Sequence, residues 1–277
     1  MRLEYLIEVN EMPIKEYLLY KGLSRRLARK IKLYGKMYIN NQEALNYHLV
    51  KKGDLLVIEF TETLNEEIII STENLEILYE DEDLLVINKP HNLAIQPSRR
   101  HQEDNLISRL KAFFVANQIS SNIHIVNRLD YATSGLVLVA KSGYIHHQLT
   151  NKDQVHKKYH ALVIGKLTEK EGTICLPIAR LKEEDIRRGV SEFGKEAITH
   201  YKVITEYQNI SLLELILETG RTHQIRVHMA YIGHPIVGDK LYGTEEERLY
   251  LHCYDMEFIH PKTNKAMSFT KEIKWNV

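Results

Sequence analysis

The sequence predicts an α+β fold with a mixed, largely antiparallel sheet, preceded by a small α/β module. Many short apolar segments rich in β-branched residues follow residue 75, whereas few segments there have helical spacing. These strands and helices do not alternate regularly, as they would around a parallel βαβ sheet. A polar, acidic stretch at residues 61–74 is typical of a linker, so we predict separate domains at residues 1–60 and 75–277.

The first predicted domain begins with two helices. Pro13 favours the first turn of one helix, and Ser24 is a typical N-cap for a second helix that ends at Gly35. Short strands are expected at residues 37–39 and 55–60. The second helix carries four basic residues on two neighbouring faces: Arg25, Arg26, Arg29 and Lys30. Such faces either bind a polyanion or are solvated without a ligand.

In the second predicted domain, the expected strands span residues 84–88, 135–140, 158–165, 197–206, 210–218 and 250–258. The expected helices span residues 105–117, 142–153 and 222–232. Leu106, Leu110 and Phe113 recur at helical spacing in the first of these helices, and Gly233 ends the last one.

The overall charge argues against a nucleic-acid ligand unless the positive charge is concentrated. The 277 residues include 37 basic and 37 acidic side chains, so the formal net charge is zero. A nucleic-acid binder is expected to be basic, at least locally. The basic helix and the pair Arg99 and Arg100 supply such local concentrations.

The cysteine pattern indicates free thiols in a reducing compartment. Cys175 and Cys253 are far apart and have no metal-binding spacing. Histidines are frequent near the C-terminus, but no acid or cysteine completes a ligand set with them, so we predict no metal site. No segment is long and apolar enough for a membrane span. We therefore expect a cytoplasmic protein with no membrane partner.

The most informative segment is the run of residues 127–142, which places Asp130 between Arg128 and the turn Thr133-Ser134-Gly135. An apolar strand follows at once. Two interpretations fit this spacing. The acid either caps the turn and pairs with the arginine, or it lies poised beside a substrate.

Residues 127–136 resemble the signature His-Arg-Leu-Asp-x-x-Thr-Ser-Gly-Leu of the RluA-type pseudouridine synthases, which isomerise uridine in RNA. Further motifs resemble those of the family in the same order: residues 78–90 with Lys89-Pro90, residues 157–163 with Lys-x-Tyr-x-Ala-Leu-Val, residues 219–228 and residues 233–243. Together they cover roughly residues 75 to 260. The resemblance implies a pseudouridine synthase fold with a cleft across the middle of the sheet. The N-terminal module resembles the S4-type RNA-binding domain often found ahead of these synthases.

The resemblance implies Asp130 as the essential carboxylate, with Tyr159 and Arg226 as further catalytic residues. Asp130 would act as a nucleophile toward C1′ or C6 of the nucleotide, or as a base; the sequence leaves these roles open. Tyr159 would stack on the base near the C5 proton, although an aromatic residue in a strand is otherwise a core residue. Arg226 would pair with Asp130 from a helix face that also gives Ile225 to the base as an apolar floor; otherwise it makes a surface ion pair.

The remaining expected substrate contacts come from the same motifs. Arg128 is expected to enter the RNA as the target base leaves the stack. Asn127 stands where the signature has histidine, and it can form hydrogen bonds but cannot carry a proton charge. Thr133, Arg221 and His223 are the other expected substrate-binding residues.

Three functions are consistent with parts of this sequence. An RNA uridine isomerase needs no cofactor, because nothing is oxidised and no atom is gained or lost. It would act on ribosomal or transfer RNA as a monomer, with no obligate protein partner. A catalytically silent RNA-binding protein would use only the S4-like module and a degenerate cleft. A nucleoside or glycoside hydrolase would need two carboxylates at the scissile bond, and only Asp130 lies in a strong motif. The first function is favoured because Asp130, Tyr159 and Arg226 occur together.

Overall fold

A computed structural model describes residues 2–61, 64, 68–99, 101–150, 154–182 and 184–275. The N-terminal unit, residues 2–60, has the elements β1 (Arg2–Leu6), β2 (Glu11–Pro13), α1 (Ile14–Tyr20), α2 (Arg25–Tyr34), β3 (Lys36–Ile39), β4 (Gln42–Ala44), β5 (Leu49–Lys51) and β6 (Leu55–Glu59). Its main sheet has the strand order β1-β6-β3-β4, and β2 pairs with β5. The predicted second helix is present as α2: the Ser24 side chain accepts from Leu27 N at 3.1 Å, and Gly35 is the C-cap.

The N-terminal unit has a hydrophobic core of its own, which includes the fully buried residues Ile14, Tyr17, Ile31 and Leu56. The apolar faces of α1 and α2 pack into this core, so the basic residues of α2 face solvent. Residues 62, 63 and 65–67 of the predicted linker lie outside the described residues, as do Arg100 and the last three residues of the helix predicted at 142–153.

The larger unit follows with β7 (Glu76–Glu80), β8 (Leu84–Lys89), α3 (Leu106–Ala116), β9 (His124–Ile125), β10 (Ser134–Ala140), α4 (Gly143–Thr150), β11 (His156–Ile164), β12 (Glu171–Cys175), β13 (Ile178–Arg180), β14 (Arg188–Val190), β15 (Ile198–Glu206), β16 (Ile210–Leu217), α5 (Gln224–Tyr231), β17 (Leu251–Ile259) and β18 (Ala266–Thr270). Ten strands form one sheet with the order β12-β15-β16-β11-β17-β10-β8-β7; β18 pairs with β17 and β9 with β10. Among the strand pairs of the described residues, only β10 and β17 run parallel. The predicted α+β class with a mixed, largely antiparallel sheet is confirmed.

The parallel pairing of β10 with β17 explains the glycine of the Thr-Ser-Gly turn. Gly135 has φ +120° and lies opposite Cys253. A Cβ on Gly135 would lie 2.2 Å from Cys253 O, so the two strands could not approach at this point with any other residue. Tyr159 of β11 also lies opposite Cys253, on its other side. The start of β10 and the middle of β11 therefore flank β17 at the centre of the sheet.

The helix predicted at 222–232 begins later than expected, at Gln224. His223 is its N-cap residue in the left-handed region, with φ 60°. The Gln224 side chain sets this start, because its Oε1 accepts from Thr219 Oγ1 and Arg221 N, both at 2.9 Å. Thr222 is therefore outside the helical face that carries Ile225.

The helix α4 of the larger unit contacts the N-terminal unit. Its Tyr144 packs against the core of the N-terminal unit, and Gln148 Nε2 donates to the carbonyls of Lys21 and Gly22 at 3.4 and 3.3 Å. The N-terminal unit is thus docked on the larger one rather than only tethered to it. In the part of the chain that the structure describes, no helix has both the length and the apolar surface to cross a bilayer.

Candidate active site

Asp130 lies in the turn that leads into β10, and its side chain is 28% exposed. The turn is closed by a hydrogen bond from Thr133 N to Asp130 O at 3.1 Å. Below it, Lys89 is completely buried, and its Nζ donates to three carbonyls: Pro90 O and Leu93 O at 2.9 Å and Tyr131 O at 3.2 Å. The carboxylate therefore projects from a rigid turn toward solvent.

The three carbonyls around Lys89 match the three N–H donors of an ammonium group. Burial lowers the pKa of Lys89 to about 7, and the charge of Asp130 acts in the opposite direction. A neutral amine would leave one of the three carbonyls without a donor, so this arrangement favours the cation. Lys89 thus shapes the turn and also brings positive charge under Asp130.

Arg226 is held in the site mainly by Asp239. Its Nε donates to Asp239 Oδ2 at 2.8 Å and its Nη2 to Asp239 Oδ1 at 2.7 Å, while Nη1 lies 3.7 Å from Asp130 Oδ2. Asp239 is fully buried and also accepts from Leu241 N at 3.0 Å. The predicted proximity of Arg226 to Asp130 is present. However, the shorter, bidentate pair is made with Asp239, a residue that the sequence indicated only as part of a loop.

The charges around Arg226 keep it a cation despite its burial. Burial lowers its pKa, but the hydrogen bonds and charge of Asp239 and the charge of Asp130 raise it above the ordinary value. The Tyr242 ring lies over the guanidinium, with Arg226 Cζ 5.2 Å from the ring centroid. The guanidinium is thus fixed on several sides and presents its remaining nitrogen to Asp130.

His223 lies on the same side of Asp130. Its Nε2 is 3.9 Å from Asp130 Oδ2, and its Nδ1 is 2.8 Å from the Tyr242 hydroxyl. That hydroxyl accepts from Arg188 N at 2.7 Å, which leaves its own O–H to donate to His223 Nδ1. In the neutral ring the proton then lies on Nε2, toward Asp130. Burial lowers the pKa of His223, Asp130 raises it and Arg226 lowers it, with a net shift below the ordinary value.

Tyr159 and Ile225 form the apolar side of the site. Tyr159 is 5% exposed and Ile225 4% exposed. The pairing of β11 with β17 is irregular between Lys158 and Tyr159, as is common where a strand aims a side chain at an active site. Burial, Cys253 and Asp130 all raise the pKa of Tyr159 well above its ordinary value, so the phenol carries its proton at neutral pH.

Two of the side chains that were expected to contact the substrate form hydrogen bonds within the protein. The amide of Asn127 is bonded at both ends to β10, since Nδ2 donates to Leu136 O at 3.1 Å and Oδ1 accepts from Leu138 N at 2.7 Å. Arg221 Nε donates to Glu196 O at 2.8 Å. The Asn127 amide cannot turn toward a ligand without breaking these bonds, whereas the bond of Arg221 uses only Nε and leaves the donors on Nη1 and Nη2 for the predicted substrate contact.

Arg128 and Thr133 differ from these two residues. Arg128 is exposed, in keeping with a residue that reaches into a ligand. Thr133 is 2% exposed, and its Oγ1 is buried with no hydrogen-bond partner among the described residues. An unpaired buried hydroxyl is costly, so this atom is a candidate for a ligand contact.

Arg248 is a site residue that the sequence did not indicate, because it directly follows the acidic run Glu245–Glu247. Its Nη2 donates to Ser134 Oγ at 3.2 Å, while its Nε is buried without a partner in the described part of the chain. Ser134 lies in the same turn as Asp130 and also contacts His252 Nδ1 at 2.8 Å. Arg248 therefore adds a sparsely bonded cation beside the turn.

A basic groove lies on the N-terminal unit between α1, α2 and β3. The basic side chains that line it are Lys15, Arg25, Arg29 and Lys32, and Leu18, Leu19, Ala28 and Met37 form its apolar part. Arg26 and Lys30 are exposed on the neighbouring face of α2. The four predicted basic residues are thus divided between the groove and the face beside it.

Comparisons with known proteins agree with the predicted resemblance. The family model for RNA pseudouridylate synthase matches residues 83–231. The uncharacterized RNA pseudouridine synthase YjbO of Bacillus subtilis is 40% identical over 266 residues, which cover 93% of this chain and 94% of that protein. Ribosomal large subunit pseudouridine synthase D of Blochmanniella floridana is 33% identical, with 94% and 89% covered. The structure of human RNA pseudouridylate synthase domain containing 1 matches with a TM-score of 0.62 and 27% identity over 73% of this chain and 85% of that one.

Proposed function

Since the chain belongs to the RNA pseudouridylate synthase family, we propose that it isomerises specific uridines of a structured RNA to pseudouridine with Asp130 as the essential carboxylate. The family predicted from the motifs is confirmed, and with it the pseudouridine synthase fold and an isomerase that acts on uridine in RNA. The RNA, the target uridine and the roles of individual residues belong to the proposal.

One observation carries the proposal. Asp130 is accessible at the centre of the sheet, and Arg226 is directed at it by a buried carboxylate, Asp239. In the reaction, the bond from C1′ to N1 breaks, the base turns, C1′ bonds to C5, and the C5 proton leaves while N1 gains one. Negative charge on the freed base or positive charge at the sugar must be stabilised, and a fixed carboxylate–guanidinium pair beside the nucleotide supplies both signs of charge.

Two alternatives for Asp130 stay open, attack on C1′ or C6 and action as a base. For Tyr159, the raised pKa supports a narrower role. Its phenol is protonated at neutral pH, so it positions the base by stacking and cannot take up the C5 proton in its resting state. Ile225 would support the base from α5, and exposed Arg128 would fill the gap that the extruded base leaves in the RNA. The reaction requires no cofactor.

The same geometry argues against the hydrolase alternative. A glycosidase needs a second carboxylic group that can donate or accept a proton near the scissile bond. The carboxylate next to the site, Asp239, is fully buried and engaged by both Nε and Nη2 of Arg226. It is therefore not available as a second acid.

We propose that residues 1–60 are an S4-like RNA-binding domain and residues 75–277 the catalytic domain, acting together as a monomer. The groove lined by Lys15, Arg25, Arg29 and Lys32 would contact RNA phosphates. Ribosomal RNA is the first candidate substrate, because a relative that is 33% identical in an alignment covering most of both chains is named for the large ribosomal subunit. Transfer RNA is the second.

Tritium release from RNA that carries uridine labelled at C5 tests the activity directly. We expect release with the native chain and none with Asp130→Asn, which keeps the size of the side chain but removes its charge. Equal release from both proteins would exclude Asp130 from the mechanism. Mapping pseudouridines in total RNA from cells with and without the protein then identifies the target uridine.

A further inference from the structure

A stacked pair of aromatic rings lies beside the candidate catalytic acid. Tyr131, the residue after Asp130, is 44% exposed. The His101 ring lies 4.6 Å from the Tyr131 ring, with an angle of 26° between the planes. Since His101 covers one face of the phenol ring, a stacking ligand would have to use the other face, which we call the open face.

The backbone at both residues is held by hydrogen bonds that do not depend on the stack. Lys89 Nζ and Leu93 N each donate to Tyr131 O at 3.2 Å. His101 exchanges two backbone hydrogen bonds with Ser98, at 3.0 and 3.4 Å. Because the backbone at both residues is fixed, the two rings have fewer arrangements to lose when a ligand stacks on Tyr131.

Two exposed arginines lie close to the stacked pair in sequence. Exposed Arg128 is three residues before Tyr131, and exposed Arg99 lies in the short hairpin that carries His101. An aromatic ring with cations close by is the arrangement that proteins use to hold single-stranded nucleic acid, with the base on the ring and the phosphates near the cations.

We propose that the open face of Tyr131 stacks on the nucleobase next to the target uridine, with His101 as the rigid support behind the ring. This inference rests on the proposed function, because it requires an RNA whose target nucleotide is extruded into the cleft at Asp130. Extrusion leaves the neighbouring base with one face unstacked. Tyr131 directly follows Asp130 in the chain and is exposed, so it is an aromatic side chain within reach of that face.

The test is a double-mutant cycle on binding. The probe is the stem-loop RNA that carries the mapped uridine, in three forms: intact, with an abasic ribose on the 5′ side of the target, and with one on the 3′ side. All proteins carry Asp130→Asn to prevent turnover, and dissociation constants are measured at one salt concentration. With intact RNA, Tyr131→Leu should weaken binding by about 5- to 150-fold, the range known for loss of one base stack. The matched control Tyr131→Phe keeps the ring and should stay within about twofold of its parent.

With one of the two abasic RNAs, Tyr131→Leu should have no further effect, because its stacking partner is already absent. Equal effects of Tyr131→Leu on all three RNAs would overturn the proposal, as would equal losses in the Leu and Phe variants. A second measurement needs no change at Tyr131: 2-aminopurine at the flanking position should lose fluorescence when the Asp130→Asn protein binds, and unchanged emission at both flanking positions would overturn the proposal. Failure of the proposed function has a different signature, since the native chain would then release no tritium from any RNA.

Discussion

Replacing Asp239 by asparagine tests whether this buried carboxylate is what directs Arg226 at Asp130. The substitution keeps the size of the side chain but removes its charge. It also converts one of the two oxygens that accept from Arg226, at 2.8 and 2.7 Å, into an N–H₂ group that faces another donor. Because Asp239 is fully buried and the Arg226 side chain is 6% exposed, water cannot replace the lost partner.

The size of the effect follows from this burial. Removing one partner of a buried ion pair costs about 3–5 kcal/mol. Asp130 compensates in part, since its Oδ2 lies 3.7 Å from Arg226 Nη1, so we expect the lower end of this range. At about 2–4 °C per kcal/mol for a unit of this size, the melting temperature should fall by roughly 6–12 °C. Asp130→Asn removes a partly exposed partner of a long ion pair and should cost less than about 1 kcal/mol.

The assay is thermal unfolding at pH 7 for the wild type, Asp239→Asn, Asp130→Asn, Arg226→Met and the double variant of Asp239 and Arg226. The double variant should be more stable than the sum of the two single losses predicts, because it leaves no unpaired charge behind. If Asp239→Asn melts within about 2 °C of the wild type, or if the two single losses simply add, Asp239 does not hold Arg226 through its charge.

Three further outcomes are expected. Gly135→Ala should prevent stable folding, since the new Cβ would lie 2.2 Å from a backbone oxygen. The control Gly53→Ala, at φ +94°, meets no atom within 4 Å and should cost only about 1 kcal/mol. Equal melting temperatures of the two variants would contradict this prediction. Burial holds the pKa of His252 at about 4, below its ordinary 6.5, so the unfolded chain binds the proton more tightly and about 3 kcal/mol of stability should be lost as the pH falls from 6.5 to 4. Urea titrations should show a smaller loss of stability over this pH range for His252→Gln than for the wild type, and equal losses would contradict the prediction. Replacing Arg25 and Arg29 together by alanine should reduce the salt dependence of RNA binding by about 1–2 in log–log slope, and an unchanged slope would mean that the groove does not contact phosphates.

The elements with strong local signals could be predicted from the sequence. The second helix has an N-cap serine and a terminal glycine, and it is observed at Arg25–Tyr34 as expected. The strand after the central motif is a continuous apolar run, and all its residues are buried in the observed strand Ser134–Ala140. Short strands such as Ile178–Arg180 and Arg188–Val190 were missed, because their pairing depends on distant partners rather than on their own pattern.

At the candidate site, too, some features could be predicted from the sequence and others could not. Its motif residues and the approach of Arg226 to Asp130 could be named from the sequence. The buried partner Asp239 could not, because a partner is set by the folded path of the chain. Arg226 and Asp239 are 13 residues apart, and no helical or strand period relates them. The helix that carries Arg226 begins at Gln224 because that side chain bonds Thr219 and the backbone of Arg221, a contact with no signal in hydrophobic spacing.

The zero net charge of the chain was the main argument against a polyanionic ligand, and the structure shows why a whole-chain charge does not decide this question. Charges in physiological salt act over about 8 Å, so a ligand senses only the groups near it. Asp239 balances Arg226 inside the protein, where neither charge is presented to an RNA strand as a free group. Within the described residues, Lys89 is bonded to carbonyls and Arg248 to a hydroxyl rather than to acids, and α2 has no acidic residue in its sequence. The positive charge at the surface is therefore concentrated on the N-terminal groove, where Lys15, Arg25, Arg29 and Lys32 can meet an RNA backbone. Lys89 is buried and acts on the turn of Asp130 instead.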